Sequence, residues 1–194
     1  MSHFEYVSIF NGIIVALALE NVAASFHKLL DAGRRVRWHW MAPVNAIGSA
    51  TAALGAFWLT WLLRDVQGGS STFLTFMLSA FASVALYLVC ATTLPDEVPE
   101  AGIDLKVFYF SSRRLLWSLV LAAVLLRTSL VLVAILRTDF DPRIVRINTP
   151  FLIGQLVAAA IAVSMVHVRA YWWHAVGIVV VTAGVLFLFG PMKL

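Results

Sequence analysis

Six stretches of the chain are dominated by apolar residues and long enough to cross a bilayer: residues 7–30, 41–63, 73–94, 115–136, 150–168 and 173–190. About 20 helical residues, rising about 1.5 Å each, traverse about 30 Å of hydrocarbon. No stretch alternates apolar and polar positions at period two, which argues against a spanning β-barrel. The pattern predicts an all-α polytopic membrane protein, a bundle of six transmembrane helices forming one domain over residues 1–194. The first stretch has no Lys or Arg before Lys28 and no small-residue cleavage site at its end. It therefore reads as a retained helix rather than a cleaved signal peptide.

Composition points the same way. The 194 residues are 61% hydrophobic and 12% charged, whereas soluble domains carry roughly 25% charged residues. The single cysteine, Cys90, lies inside the third stretch, so neither an intrachain disulfide nor a CxxC redox or metal site is expected. The net charge of +4 resides mainly in the connections. No basic stretch alternates with aromatics in a soluble segment, so the lipid bilayer, and anionic lipid in particular, is the expected partner, and nucleic acid is not.

Charge asymmetry orients the bundle. Lys28, Arg34, Arg35 and Arg37 lie at or after the end of the first helix, and no Lys or Arg precedes it. The positive-inside rule then puts the N-terminus outside the cytoplasm, and six spans return the C-terminus to the same side. Lys106, Arg113 and Arg114 agree with this orientation, while Arg137, Arg143 and Arg146 oppose it. A bacterial cytoplasmic (inner) membrane is the expected location. Trp38, Trp40, Trp58, Trp61, Trp117, Trp172 and Trp173 all lie near expected helix ends, as an aromatic belt at the headgroups would require.

A polar loop at residues 95–110 separates two halves, 1–94 and 111–194, of three helices each. Each half has a proline near a helix start (Pro43, Pro150) and a stripe of small residues after it: Gly48 and Ala52 in one, Gly154, Ala158 and Ala162 in the other. Such stripes let backbones approach closely in lipid. Two three-helix halves would stand inverted to one another, as in several transporter folds. The competing reading is that prolines and small faces are common to membrane helices generally.

Two charges fall near the expected midplane, Glu20 and Arg127. A charge at that depth costs about 2.5–3.5 kcal/mol on insertion scales, so the two are expected to face inward and pair with each other. Ala16, Ala23 and Ala24 share the Glu20 face, and His27 lies on it two turns further along. One reading is a proton or ion route through Glu20, Arg127 and His27; the other is a static bridge that fixes helix register. Thr75, Ser79, Ser83 and Tyr87 form a hydroxyl stripe on the third helix. It can line a polar path, or its hydroxyls can bond their own or a neighbouring helix. Asn11, Asn45 and Gln155 add amides in three other spans.

His27, His39, His167 and His174 all fall near the cytoplasmic side and are weak candidates for a metal or haem site. Their spacing matches no ligand motif, so no cofactor is expected. Asp96, Glu97, Glu100 and Asp104 occupy the long loop as a solvated acidic patch, and Asp104 is placed to cap a short interfacial helix through "LKVFYF". Hydrolase, nucleotide-binding and metalloprotease motifs are absent, which leans away from an enzyme. The expectation is transport or conduction of a small solute or ion, with Glu20, Arg127, His27, Gln155, Ser79 and Ser83 as the transport or ion-binding residues, in a homo-oligomer. The alternative is a non-transporting membrane module: a sensor, assembly factor or haem-binding electron carrier.

Overall fold

The structure is a computed structural model and describes residues 3–62, 72–137 and 139–189. Six helices account for most of these residues: α1 (His3–Ala32), α2 (Met41–Leu62), α3 (Phe73–Thr93), α4 (Leu105–Arg137), α5 (Pro142–His167) and α6 (Tyr171–Phe189). Helices are what apolar runs of this length must form in lipid, where every backbone N–H and C=O needs an internal partner. Four of them, α1, α3, α4 and α5, are long and apolar enough to cross a membrane. The apolar part of α6, Tyr171–Phe187, is shorter. Positions 63 and 190, at the ends of two expected spans, and the side chain of Trp61 lie outside the described residues.

Helix α4 is longer than its apolar stretch. The sequence "SSRR" at 111–114 reads as a boundary, yet the helix runs through it from Leu105. The polar side chains there turn back onto their own helix: Ser111 donates to the Phe108 carbonyl at 2.7 Å and Arg113 to the Phe110 carbonyl at 3.1 Å. Asp104 caps this long helix rather than a separate short one, accepting from the N–H groups of Lys106 (2.8 Å) and Val107 (3.2 Å). Helix α5 likewise starts early, at Pro142, capped by Asp141 through the Arg143 N–H at 2.8 Å.

One small feature has no apolar signature. Val36 and Arg37 (β1) pair in parallel with Ile103 and Asp104 (β2), joining the α1–α2 connection to the loop before α4. Gly102, at φ +86°, makes the join possible, because a Cβ there would stand 2.5 Å from the Arg35 carbonyl oxygen. Arg37 and Asp104 add an ion pair at 3.4 Å. This ladder marks one end of the bundle. Ser25 and Lys28 also tie that end, donating to the Asp96 carboxylate (3.3 Å) and backbone carbonyl (3.0 Å). At the opposite end Arg137 donates to the Thr72 hydroxyl at 2.6 Å.

Helix α3 packs against α1, α2 and α4; α4 packs against α5, and α6 against α2 and α5. In the first half all three helices touch each other, whereas in the second α4 and α6 do not pack extensively. The halves therefore do not share one internal arrangement. The small stripes do work as close-contact faces: a Cβ on Gly48 would meet the Thr182 hydroxyl of α6 at 2.8 Å, and Ala162 is fully buried in the main core.

Candidate functional site

Glu20 and Arg127 are not brought together. Helix α1 buries Asn11, Val15, Ala18, Ser25, Leu29 and Ala32, a stripe on one face. Glu20, Ala16, Ala23 and His27 fall on the exposed face instead. Their depths also differ. Leu29 and Leu105 share one core cluster and so mark one level. Glu20 precedes Leu29 by nine residues and Arg127 follows Leu105 by 22, placing them about 14 Å and about 33 Å from that level. Helix α3 packs against both helices, and the half-buried Arg127 makes no ion pair among the described residues. The inward Glu20 expected from its alanine neighbours fails because α1 carries small residues on both faces, and lipid gives apolar positions no preferred side.

His27 pairs with Asp31 one turn away, at 3.4 Å and largely exposed. Ser79 and Ser83 are occupied by Asn11: the Asn11 amide N–H donates to Ser79 and the Ser83 hydroxyl donates to the Asn11 carbonyl, both at 2.9 Å and buried. Gln155 accepts from Thr128 at 2.7 Å. These contacts stitch α1 to α3 and α4 to α5. Of the four histidines, His39 stacks beside Trp40 and meets the Tyr171 ring edge-on at 5.8 Å, while His167 bonds the Val163 carbonyl of its own helix. No group of three His, Cys, Asp or Glu that could hold a metal gathers among the described residues.

The densest polar arrangement surrounds the fourth, His174. Its side chain is fully buried (0% exposed), with Tyr109 (2%) and Trp117 (1%) beside it. His174 Nε2 lies 2.9 Å from the Val168 carbonyl, which can only accept, so Nε2 carries the proton and Nδ1 is the bare acceptor. Tyr109 then donates its hydroxyl proton to Nδ1 at 2.6 Å and accepts from Trp117 Nε1–H at 3.0 Å. The chain runs in one direction, Trp117 to Tyr109 to His174 to Val168, and satisfies each group in it. Phe110 closes over the imidazole edge-on at 5.3 Å.

This cluster lies where five helices meet. Met41 of α2, Val89 of α3, Leu116 of α4, Ala162 and Met165 of α5, and Ala175 and Ile178 of α6 form the surrounding core. Asn45 on α2 lies near the Tyr109 hydroxyl, and its Nδ2 is buried with no hydrogen-bond partner among the described residues. Arg113, one turn beyond Tyr109, is buried too.

Three of these residues read differently in the sequence. Tyr109 falls in the interfacial "LKVFYF", Arg113 in a basic boundary and Trp117 in the aromatic belt. The available signal is their spacing: 109, 113 and 117 recur every four residues and share a helix face once α4 is continuous. Trp117 is thus a core donor, whereas Trp38, Trp40, Trp172 and Trp173 are exposed, as a belt requires.

Compared with protein-family models, curated proteins and solved structures, the chain matches none.

Proposed function

We propose that this chain is a six-span integral protein of a bacterial cytoplasmic membrane that transports or conducts a small solute or ion, with the ladder end in the cytoplasm and both termini outside. The supporting observation is the buried Tyr109–His174 hydrogen bond. It links α4 to α6, beside the edge-on contact of Phe110 with the same imidazole. Ionisable groups enclosed in a membrane bundle are expensive, so they mark pathways or switches more often than ornament. Protonating His174 would place a second proton in the 2.6 Å gap. Tyr109 would have to turn its O–H elsewhere, with Asn45 the nearby amide. That exchange gives the bundle two arrangements of its α4–α6 contact, governed by a proton, which is what gating at a cytoplasmic mouth needs.

Glu20 fits this reading through assembly. Its carboxylate sits on an outward face about one-third of the way into the bundle, and contact with a second copy would remove it from lipid. A homo-oligomer is part of the proposal for that reason.

Proteoliposomes loaded with a pH-sensitive dye test the reading. Wild-type vesicles are expected to pass protons, alkali cations or small anions faster than empty vesicles, and Tyr109→Phe to change the pH dependence of that flux. Wild-type flux equal to that of empty vesicles for all of these would remove the transport reading.

The non-transporting module is favoured by a different observation: Asn11, Ser79 and Ser83 satisfy one another, as do Thr128 and Gln155, so these groups serve helix packing. A Soret band in the purified protein would assign the haem-carrying version of that reading.

A further inference from the structure

Arg113 is 6% exposed, and its guanidinium is only partly used. Nη1 donates to the Phe110 carbonyl at 3.1 Å. Nε and Nη2 are buried and have no hydrogen-bond partner among the described residues. Those two nitrogens form one edge of the planar guanidinium, and their N–H bonds point in parallel. This is the edge that grips a phosphate or carboxylate with two hydrogen bonds at once.

No counter-charge for this group comes from the described residues. The charged groups that act on Arg113 most are Arg169 and Arg114, both positive. Of the acids of the same end, Asp104 is committed to Arg37 and the first N–H groups of α4, Asp96 to Ser25 and Asp31 to His27, while Glu97 and Glu100 are exposed and form no ion pair with Arg113 among the described residues. A buried cation among like charges is strongly unfavourable unless an anion joins it. The described residues provide a fork, two further positive side chains and no acceptor for the Nε–Nη2 edge.

The level of the site limits what that acceptor is. Arg113 lies eight residues into α4, about 12 Å from its start. Arg169 stands two residues before α6, whose exposed Trp172 and Trp173 follow at once. Exposed indoles at a helix end sit at headgroup depth in a bilayer, and the N-terminus of α6 favours the same negative charge.

We propose that Arg113, with Arg169 and Arg114 beside it, forms a binding site for a phosphate group at the ladder end of the bundle, Arg113 gripping two phosphate oxygens through Nε–H and Nη2–H. The phosphate comes either from an anionic phospholipid headgroup or from a soluble phosphate. The site is independent of whether the chain transports.

Thermal melting of the full chain, purified in detergent and washed free of lipid, tests it. Two probes are compared with sodium chloride at equal ionic strength: short-chain phosphatidylglycerol and inorganic phosphate. Wild-type protein is expected to melt several degrees higher with at least one probe. A rise with the lipid alone names the headgroup; a rise with inorganic phosphate names the soluble anion. Arg113→Gln is expected to lose most of the shift, and Arg113→Lys to keep only part, because an ammonium cannot make the parallel pair. Should Arg113→Gln fail to fold, the exposed positions decide: Arg114→Gln with Arg169→Gln should weaken the apparent affinity about threefold to tenfold. No shift of the wild type with either probe, or equal shifts in wild type and the double variant, would overturn the site.

Discussion

The Tyr109 hydroxyl and His174 Nδ1 stand 2.6 Å apart in a buried contact between α4 and α6. The direction of this bond follows from its neighbours, since Val168 must accept and Trp117 must donate. Tyr109→Phe keeps the ring but strands Trp117 Nε1–H and His174 Nδ1 together. Two unmet buried groups should cost about 2–4 kcal/mol. The unfolding midpoint in denaturant, compared with that of an exposed control such as Trp172→Phe, reads the loss directly.

Glu20 and Arg127 should behave as independent sites. Their levels in the bundle differ by about 19 Å, and additivity holds beyond about 10 Å when no partner is shared. A double-mutant cycle with Glu20→Gln and Arg127→Gln is therefore expected to give a coupling energy within about 0.5 kcal/mol of zero. A coupling above about 1 kcal/mol would mean that the two meet, within one chain or across two copies.

The Asn11 amide holds α1 to α3 through both of its ends. Asn11→Ala frees two serine hydroxyls, which can turn back to carbonyls of their own helix. The expected cost is thus about 1–2 kcal/mol rather than the full value of two lost bonds. Cross-linking of α1 to α3 by paired cysteines would show the helices loosening.

Gly102→Ala attacks the ladder. The residue has φ +86°, and an added Cβ would be 2.5 Å from the Arg35 oxygen. The left-handed backbone alone costs an L-residue about 1–2 kcal/mol, and the clash adds to it. Hydrogen exchange at residues 36 and 103 should quicken, while amides within α3 keep their protection.

Two groups outside the spans set an acid sensitivity at the ladder end. Burial, then the charge of Lys106, holds His39 below its ordinary 6.5, with Asp104 opposing. Its neutral form is the one favoured by folding, so this contribution is present above pH 6.5 and fades as pH falls through the lower folded value. The Asp104 carboxylate is held below 3.8, first by the Val107 N–H; desolvation, next in size, opposes this, and the Lys106 N–H, Arg37 and His39 add to the lowering. Its contribution is complete above pH 3.8 and disappears as pH falls through the folded value. Melting should therefore fall in two steps on acidification. His39→Gln should flatten the upper step and Asp104→Asn the lower.

Much of the architecture was legible because hydrophobic length is a one-dimensional property. Residues 7–30 and 73–94 correspond to α1 and α3 with only small changes at their ends. The early starts of α4 and α5 were hidden by polar residues at 111–114 and 142–149, since Ser and Arg side chains can bond their own helix and do not break it. The site was less legible. His174 stood among the candidate histidines and Asn45 among the amides, but Tyr109, Arg113 and Trp117 each had an ordinary interfacial explanation.

The amino-acid order alone determined that long apolar helices form, because an unpaired backbone cannot persist in hydrocarbon. Which face of each helix points inward was decided only by the tertiary structure. In water, polarity separates the two faces of a helix; in lipid, Leu and Ala suit either side. Glu20 was therefore assigned to the interior by its small neighbours and lies outside, while Arg113, assigned to the surface by its charge, lies within. Steric fit against α3 and α6 made that choice, and it is why the enclosed polar contact of the bundle is Tyr109–His174 and not a Glu20–Arg127 pair.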